Sequence, residues 1–169
     1  MSFKKAIAHV LKHEGGFVDH PKDPGGATNL GITLKTLRAW RKQHSDIDDI
    51  KNLTYNEAKD IYRANYWDKC RCGEMPAGVA LMVFDGAVNH GPSQSTKFLQ
   101  RALRVSADGA IGPITLTAAN NTNSKKLLLE VAAQRMRFYG NLDSFKHFGK
   151  GWSRRLMSTL SEALEAEEE

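Results

Sequence analysis

The 169-residue sequence has only two cysteines, Cys70 and Cys72, in a C-x-C arrangement. Residues i and i+2 rarely suit a disulfide, and there is no second cysteine pair to complete a zinc site. A disulfide-stapled scaffold and a structural zinc fold are therefore excluded. The thiols are expected to be reduced, which suits synthesis in a reducing cytoplasm. No run approaches the roughly 20 apolar residues of a membrane span. The N-terminus begins with basic residues, but Lys12, His13 and Glu14 interrupt it too early for a signal peptide. Internal repeats and low-complexity linkers are also missing. What remains is ordinary for one soluble domain with its own core: 41% hydrophobic and 25% charged residues. The net charge of +5 and the pI near 9.2 imply an anionic partner, whether nucleic acid, anionic lipid or the acidic bacterial wall. No recognised nucleic-acid motif accompanies the charge.

Apolar periodicity predicts a mostly α chain with one small β region, an α+β arrangement. Phe3, Ile7, Val10 and Leu11 give an amphipathic helix over about 2–14, stopped by Gly15-Gly16. Residues 17–33 are rich in turn formers and fit a small hairpin, after which Thr33 caps a helix to about Lys42. Thr54-Tyr55-Asn56-Glu57 reads as a capping box opening a helix to about Trp67. Residues 77–89 are apolar nearly all round, so they form the central buried helix, ended by Asn89-His90-Gly91 with a left-handed glycine. Helices follow at about 93–104, 113–120, 124–140 and 151–165, and the acidic tail 166–169 frays.

Glu14 is the most informative residue. On a 3.6-residue helix it lies about 20° from Phe3 around the axis, so it extends the apolar face. A carboxylate there, near a helix C-terminus, is expected to be partly desolvated and to hold its proton near neutral pH. Those are the conditions for a general acid in glycoside cleavage. A surface glutamate at a helix end is the plainer reading. Glycoside cleavage also wants a second carboxylate or an equivalent polar group. The loop after Glu14 offers Asp23 in a Pro/Gly-rich turn, with Asp19 as a rival and Thr28 as a water-orienting hydroxyl. Each is equally at home in turn chemistry.

The runs His13-Glu14-Gly15-Gly16-Phe17-Val18 and Asp23-Pro24-Gly25-Gly26-Ala27-Thr28-Asn29-Leu30-Gly31-Ile32 closely resemble the start of glycoside hydrolase family 108. Tyr66-Trp67 and Asp85-Gly86-Ala87-Val88-Asn89-His90-Gly91 look like further motifs of that family. These are N-acetylmuramidases, many of them phage or prophage endolysins. The resemblance spans nearly the whole chain and implies a lysozyme-like fold, with Glu14 as the catalytic acid. Phage lysozymes with a Glu, Asp, Thr set follow E-x8-D-x5-T. Here Glu14 to Asp23 fits x8, but Asp23 to Thr28 is x4.

Asp85 and Asn89 share one face of the central helix at i, i+4. Either Asn89 binds a sugar group or it merely ends the helix, and Asp85 stands beside it. Tyr66, Trp40, Trp67 and Trp152 suit sugar stacking or core packing. Leu99-Gln100-Arg101-Ala102-Leu103 with Asp108-Gly109-Ala110-Ile111-Gly112-Pro113-Ile114-Thr115-Leu116 resembles a small peptidoglycan-binding motif; a plain helix–turn–helix fits the same residues. His9 and His13 fall on the polar face of the first helix and do not suggest a metal site. The expected organisation is one lysozyme-like domain over 1–169, with a catalytic part at 1–91 and a helical part at 92–169.

The function implied is muramidase action on bacterial peptidoglycan. Glu14, Asp23 and Thr28 would be catalytic, Asn89, Asp85 and Tyr66 would bind substrate, and no cofactor or metal would be needed. The implied setting is a monomer held in the host cytoplasm, without membrane insertion, and released by a pore-forming holin-type partner. Competing expectations are a lytic transglycosylase, which uses one acid/base and no water, and a wall-binding protein without turnover.

Overall fold

The computed structural model describes residues 1–19 and 26–168. It is mostly helical, with nine α-helices among the described residues and one two-stranded antiparallel sheet after the first helix. Contacts divide the chain into two compact units. One comprises Ile7–Ala64; the other comprises Met1–Ala6 and the chain from Asn65 onward.

In the first unit, α1 (Phe3–Leu11, which begins in the other unit) is shorter than its periodicity predicts. The N–H groups of Lys12, His13 and Glu14 bond to the carbonyls of His9, Val10 and Leu11, so the last turn tightens to i→i−3 spacing. Glu14 thus lies just beyond the α-helix. His9, expected on the polar face, is buried and stacks edge-on against His13. Strands β1 (Thr28–Asn29) and β2 (Ile32–Thr33) form the small hairpin, and Val18 bridges to Thr28 outside it. Helix α2 (Leu34–Arg41) is capped by Thr33, whose hydroxyl accepts from Thr36 N–H.

A five-residue helix, α3 (Ile47–Lys51), was not expected. It carries its own capping box from Asp46 and Asp49. Helix α4 (Tyr55–Tyr62) starts at the expected Thr54 cap and runs on as a π-helical turn, Arg63–Trp67. Only half of the expected capping box forms: the Thr54 hydroxyl accepts the Glu57 N–H, but the Glu57 side chain turns away from the cap. Its carboxylate takes two 2.8 Å hydrogen bonds from Arg41, which also reaches Asp49 at 2.8 Å, so one guanidinium ties α2, α3 and α4 together.

In the second unit, a 3₁₀ turn (Cys72–Glu74) leads to α5 (Ala77–His90), buried continuously from Gly78 to Ala87. Around it pack α6 (Pro92–Ala102), α8 (Ser124–Gly140) and α9 (Phe145–Glu165), while α7 (Pro113–Asn121) packs on α8. The backbone of α9 comes so close at Gly78 that any Cβ there would strike the Ala163 carbonyl. Phe3, Trp67 and Phe84 form an edge-to-face cluster with centroids 5.4–5.9 Å apart. The expected left-handed cap at Gly91 has φ +82 but ψ 154, an extended turn into α6 and not a helical one. The acidic tail does not fray as expected: Ala166 is buried, Glu167 accepts the Gly78 N–H, and Glu168 pairs with Lys125 at 2.7 Å. Both cysteines are free and buried, and burial pushes the Cys72 thiol well up.

Asp85 on α5 is fully buried. Its Oδ2 accepts from Arg135 on α8 and its Oδ1 from Arg155 on α9, each at 2.9 Å. The same cluster reaches His90, whose Nε2 lies 3.1 Å from the Tyr139 hydroxyl. Burial, and behind it the charge of Arg135, push the His90 imidazole from 6.5 down to about 4, with Arg155 acting the same way and Asp85 opposing. Between those values the unfolded chain takes up a proton that the folded chain refuses. Stability is therefore complete above pH 6.5 and declines as pH falls towards 4. The loss should be about 1–3 kcal/mol after allowing for the partial exposure of His90. Thermal unfolding between pH 7 and 4 should show this slope, and His90→Gln should flatten it. An unchanged slope in the variant would assign the pH dependence elsewhere.

Candidate active site

The first unit carries Glu14, and its surroundings follow from the hairpin turn. Leu30 (φ +49) and Gly31 (φ +72) both adopt the left-handed region. That is what a two-residue turn between antiparallel strands requires, and Leu30 is an uncommon residue for it. Two side chains hold the turn in place. Asn29 Nδ2 donates to the Ile50 and Lys51 carbonyls at 3.0 and 3.1 Å, fastening β1 to the end of α3. Tyr62, buried at the end of α4, donates its hydroxyl to the Leu30 carbonyl at 3.0 Å.

Gly31 lies against the acid. A Cβ placed there would stand 2.8 Å from Glu14 Oε2 and 3.1 Å from its Cδ, and would collide with the Tyr62 hydroxyl. The carboxylate and the phenol therefore crowd the same stretch of turn backbone, where no side chain fits. Glu14 is half-buried, whereas Gly15 and Gly16 after it face open space. Sequence reasoning did not single out Tyr62. Its position one residue before the π turn gave no local signal.

Thr28 is half-buried in β1. Its backbone exchanges two 2.8 Å hydrogen bonds with Val18, and its hydroxyl donates to the Gly26 carbonyl at 3.3 Å. Asp19, the rival carboxylate, is exposed. Asp23 lies outside the described residues.

The other sequence-derived residues belong to the second unit. Asn89 is exposed at the end of α5, and its amide donates to the Asp85 carbonyl at 2.7 Å and lies 3.4 Å from Asp85 Oδ2. The shared face of Asp85 and Asn89 is therefore real. Asp85, however, points into the core, where both its oxygens are taken by arginines and it is 0% exposed. Its carboxylate is not available to a sugar, and Asn89 is held mainly by the Asp85 backbone carbonyl. Tyr66 is half-buried on the π turn. Trp67 is buried, Trp152 is half-buried against Tyr139, and Trp40 is 37% exposed. Among the described residues no three His, Cys, Asp or Glu side chains converge to hold a metal ion.

Between α6 and α7, Gln100 organises the Asp108–Gly112 turn. Its Nε2 donates to Asp108 Oδ1 (2.7 Å), the Ala110 carbonyl (3.0 Å) and Thr115 Oγ1 (3.2 Å), and its Oε1 accepts from Gly109 N–H (2.9 Å). Gly109, at φ +84, leaves no room for a Cβ beside Ser93. The turn borders a shallow hollow lined by Val105, Pro113 and Ile114, the last 74% exposed.

The family model described as Glycosyl hydrolase 108 matches residues 7–91. The structure of Brucella abortus SagA is 43% identical, with a TM-score of 0.90, covering 99% of this chain and 96% of that one. The chain belongs to glycosyl hydrolase family 108. A second model, described as Predicted Peptidoglycan domain, matches residues 94–157, which include the Gln100-centred turn. No curated protein matches the chain. The family 108 match and the peptidoglycan domain together make this a glycoside hydrolase directed at peptidoglycan. Its fold is the lysozyme-like, mostly α one expected from the sequence.

The turn geometry predicts the cost of a side chain at Gly31. Gly31→Ala adds a methyl group to a left-handed residue and drives it into Tyr62 and Glu14. Destabilisation of about 1–3 kcal/mol should follow, with a clear drop in activity. Thermal melts and wall-clearing rates measure both; a fully stable, fully active variant would contradict the close approach.

Proposed function

We propose that this family 108 enzyme is a muramidase that hydrolyses the β-1,4 bond between N-acetylmuramic acid and N-acetylglucosamine. The observation that carries the reading is Glu14: a half-buried carboxylate beyond the end of α1, packed against the Gly31 backbone inside the motif shared with the family. Glu14 protonates the bridging oxygen as the bond from the muramic acid anomeric carbon breaks. Water adds to that carbon and gives up its proton. Asp23, assisted by Thr28, guides the water or stabilises the oxocarbenium-like state. Asn89, held by Asp85, and Tyr66 bind the glycan. Residues 1–91 form the catalytic part, and 92–169 form a helical part whose Gln100 turn engages the wall.

The proposed setting is that of an endolysin: a monomer kept in the host cytoplasm, let through the inner membrane by a holin-type pore and causing lysis from the periplasm. Among the described residues no helix is long and apolar enough to cross a membrane, which fits a pore supplied by another protein.

Glu14→Gln should leave the fold intact and reduce peptidoglycan clearing by roughly 10²–10⁴-fold, the usual loss for a general acid. Circular dichroism and turbidity together test it; a folded variant that clears walls at the parental rate would remove Glu14 from the mechanism. The product separates hydrolysis from the transglycosylase alternative. Hydrolysis leaves a reducing N-acetylmuramic acid end, whereas internal attack by the 6-hydroxyl leaves a 1,6-anhydro ring lighter by one water. Mass spectrometry of digested peptidoglycan should show reducing ends, and predominantly anhydro ends would overturn hydrolysis while keeping Glu14 as acid/base.

A further inference from the structure

We infer that Tyr62 is the positioning residue of the acid, an inference that rests on Glu14 acting as proposed. Glu14 stands past the last α-helical turn, bonded through its N–H to Leu11 at i−3, and the two glycines after it face open space. The groups its carboxylate packs on include the Leu30–Gly31 turn and the Tyr62 hydroxyl, which crowd the same point beside Gly31. The phenol ring is 1% exposed and locked by burial, so its oxygen is a fixed point. That oxygen faces two acceptors, the Leu30 carbonyl 3.0 Å away and the Glu14 carboxylate across Gly31.

A hydroxyl is suited to this place because it both donates and accepts. With its hydrogen on Leu30, it offers lone pairs to the O–H of a protonated Glu14. Once Glu14 has given its proton to the glycosidic oxygen, the same hydrogen can turn towards the carboxylate. One group thereby holds the acid in the same orientation before and after proton transfer. Phenylalanine would fill the space and provide neither interaction.

A purely structural role for Tyr62, tethering the hairpin through Leu30, would be shared by Asn29, which fastens the same hairpin to α3. Tyr62→Phe and Asn29→Ala therefore form the test, with Glu14→Gln alongside. Kinetics on peptidoglycan are measured well below the unfolding midpoint of each variant, and wall sedimentation reports binding. Tyr62→Phe should lower kcat roughly tenfold to a hundredfold, as expected when a reacting group is misplaced, with KM and wall binding unchanged. Asn29→Ala should keep kcat within about threefold of the parent while lowering the melting temperature, since it removes hydrogen bonds away from the acid.

A Tyr62→Phe enzyme with parental kcat, or one no worse than Asn29→Ala, would overturn the inference if Glu14→Gln is inactive. An active Glu14→Gln would instead overturn the proposed mechanism itself. Should Tyr62→Phe fail to fold, 3-fluorotyrosine at position 62 replaces it, since it keeps the ring and the hydroxyl and makes the phenol a stronger donor and weaker acceptor. It should change kcat while leaving the melting temperature and wall binding as in the parent. An unchanged kcat would refute the positioning role.

Discussion

A carboxylate at zero exposure stays charged only if cations meet it, and Asp85 is met by two, Arg135 and Arg155, 50 and 70 residues along the chain. Burial alone would raise its pKa; the guanidiniums reverse that and hold it below the usual carboxylate value. Removing the carboxylate would leave a buried arginine without its counter-charge, which in comparable sites costs about 3–5 kcal/mol. The pairing therefore specifies which faces of α8 and α9 turn towards α5. The close approach at Gly78 and the Ser95 hydroxyl bonded to the Val83 carbonyl fit around helices already aligned in this way. The constraint extends to the surface, because Asp85 also receives the amide of Asn89, one helical turn further on. The short bond of that amide is to the Asp85 backbone carbonyl, and the carboxylate adds a longer contact, so the ion cluster lies directly beneath an exposed polar group at the end of α5.

The other unit is governed by backbone geometry. Leu30 and Gly31 must both be left-handed for the hairpin to close in two residues, a conformation that a leucine adopts at some cost. Hydrogen bonds from Asn29 and Tyr62 offset it. The same turn is where the Glu14 carboxylate packs, against Gly31 and the Tyr62 hydroxyl and away from the Asn29 bonds to α3. Arg41 joins α2, α3 and α4 through Asp49 and Glu57, and so ties the helix that carries Tyr62 to its neighbours.

Features with local causes were legible in the sequence. Thr33 and Thr54 capped the helices assigned to them, and the all-round apolar pattern of 77–89 marked the buried helix correctly. Errors arose where distant contacts overruled local pattern. Helix α1 ends at Leu11, three residues before its periodicity predicts, because periodicity cannot detect a switch to i→i−3 bonding. Helix α9 starts at Phe145 and not 151; Gly149 lowers helix propensity, yet here it packs flat on the Phe145 ring. The acidic tail looked free because its partners, Gly78 and Lys125, lie 89 and 43 residues away. Around the candidate site, the motif drew attention to Glu14, whereas Tyr62 carried no local signal, since its hydroxyl bonds a turn 32 residues earlier. Asp85 was correctly placed beside Asn89 but given to the substrate, because its arginines could not be foreseen.

Hydrolysis needs two services beyond the acid: something to hold water and something to take its proton. Thr28 can perform only the first. Its hydroxyl hydrogen goes to the Gly26 carbonyl at 3.3 Å, which leaves lone pairs able to accept from a water but no basic group to deprotonate it. Hydrolysis through Glu14 would therefore draw its base from a carboxylate, and the sequence between Val18 and Thr28 offers two, Asp19 and Asp23. Of these, Asp19 is exposed and adjoins Val18, whose backbone exchanges two 2.8 Å hydrogen bonds with Thr28, so the chain itself keeps Asp19 close to the Thr28 strand.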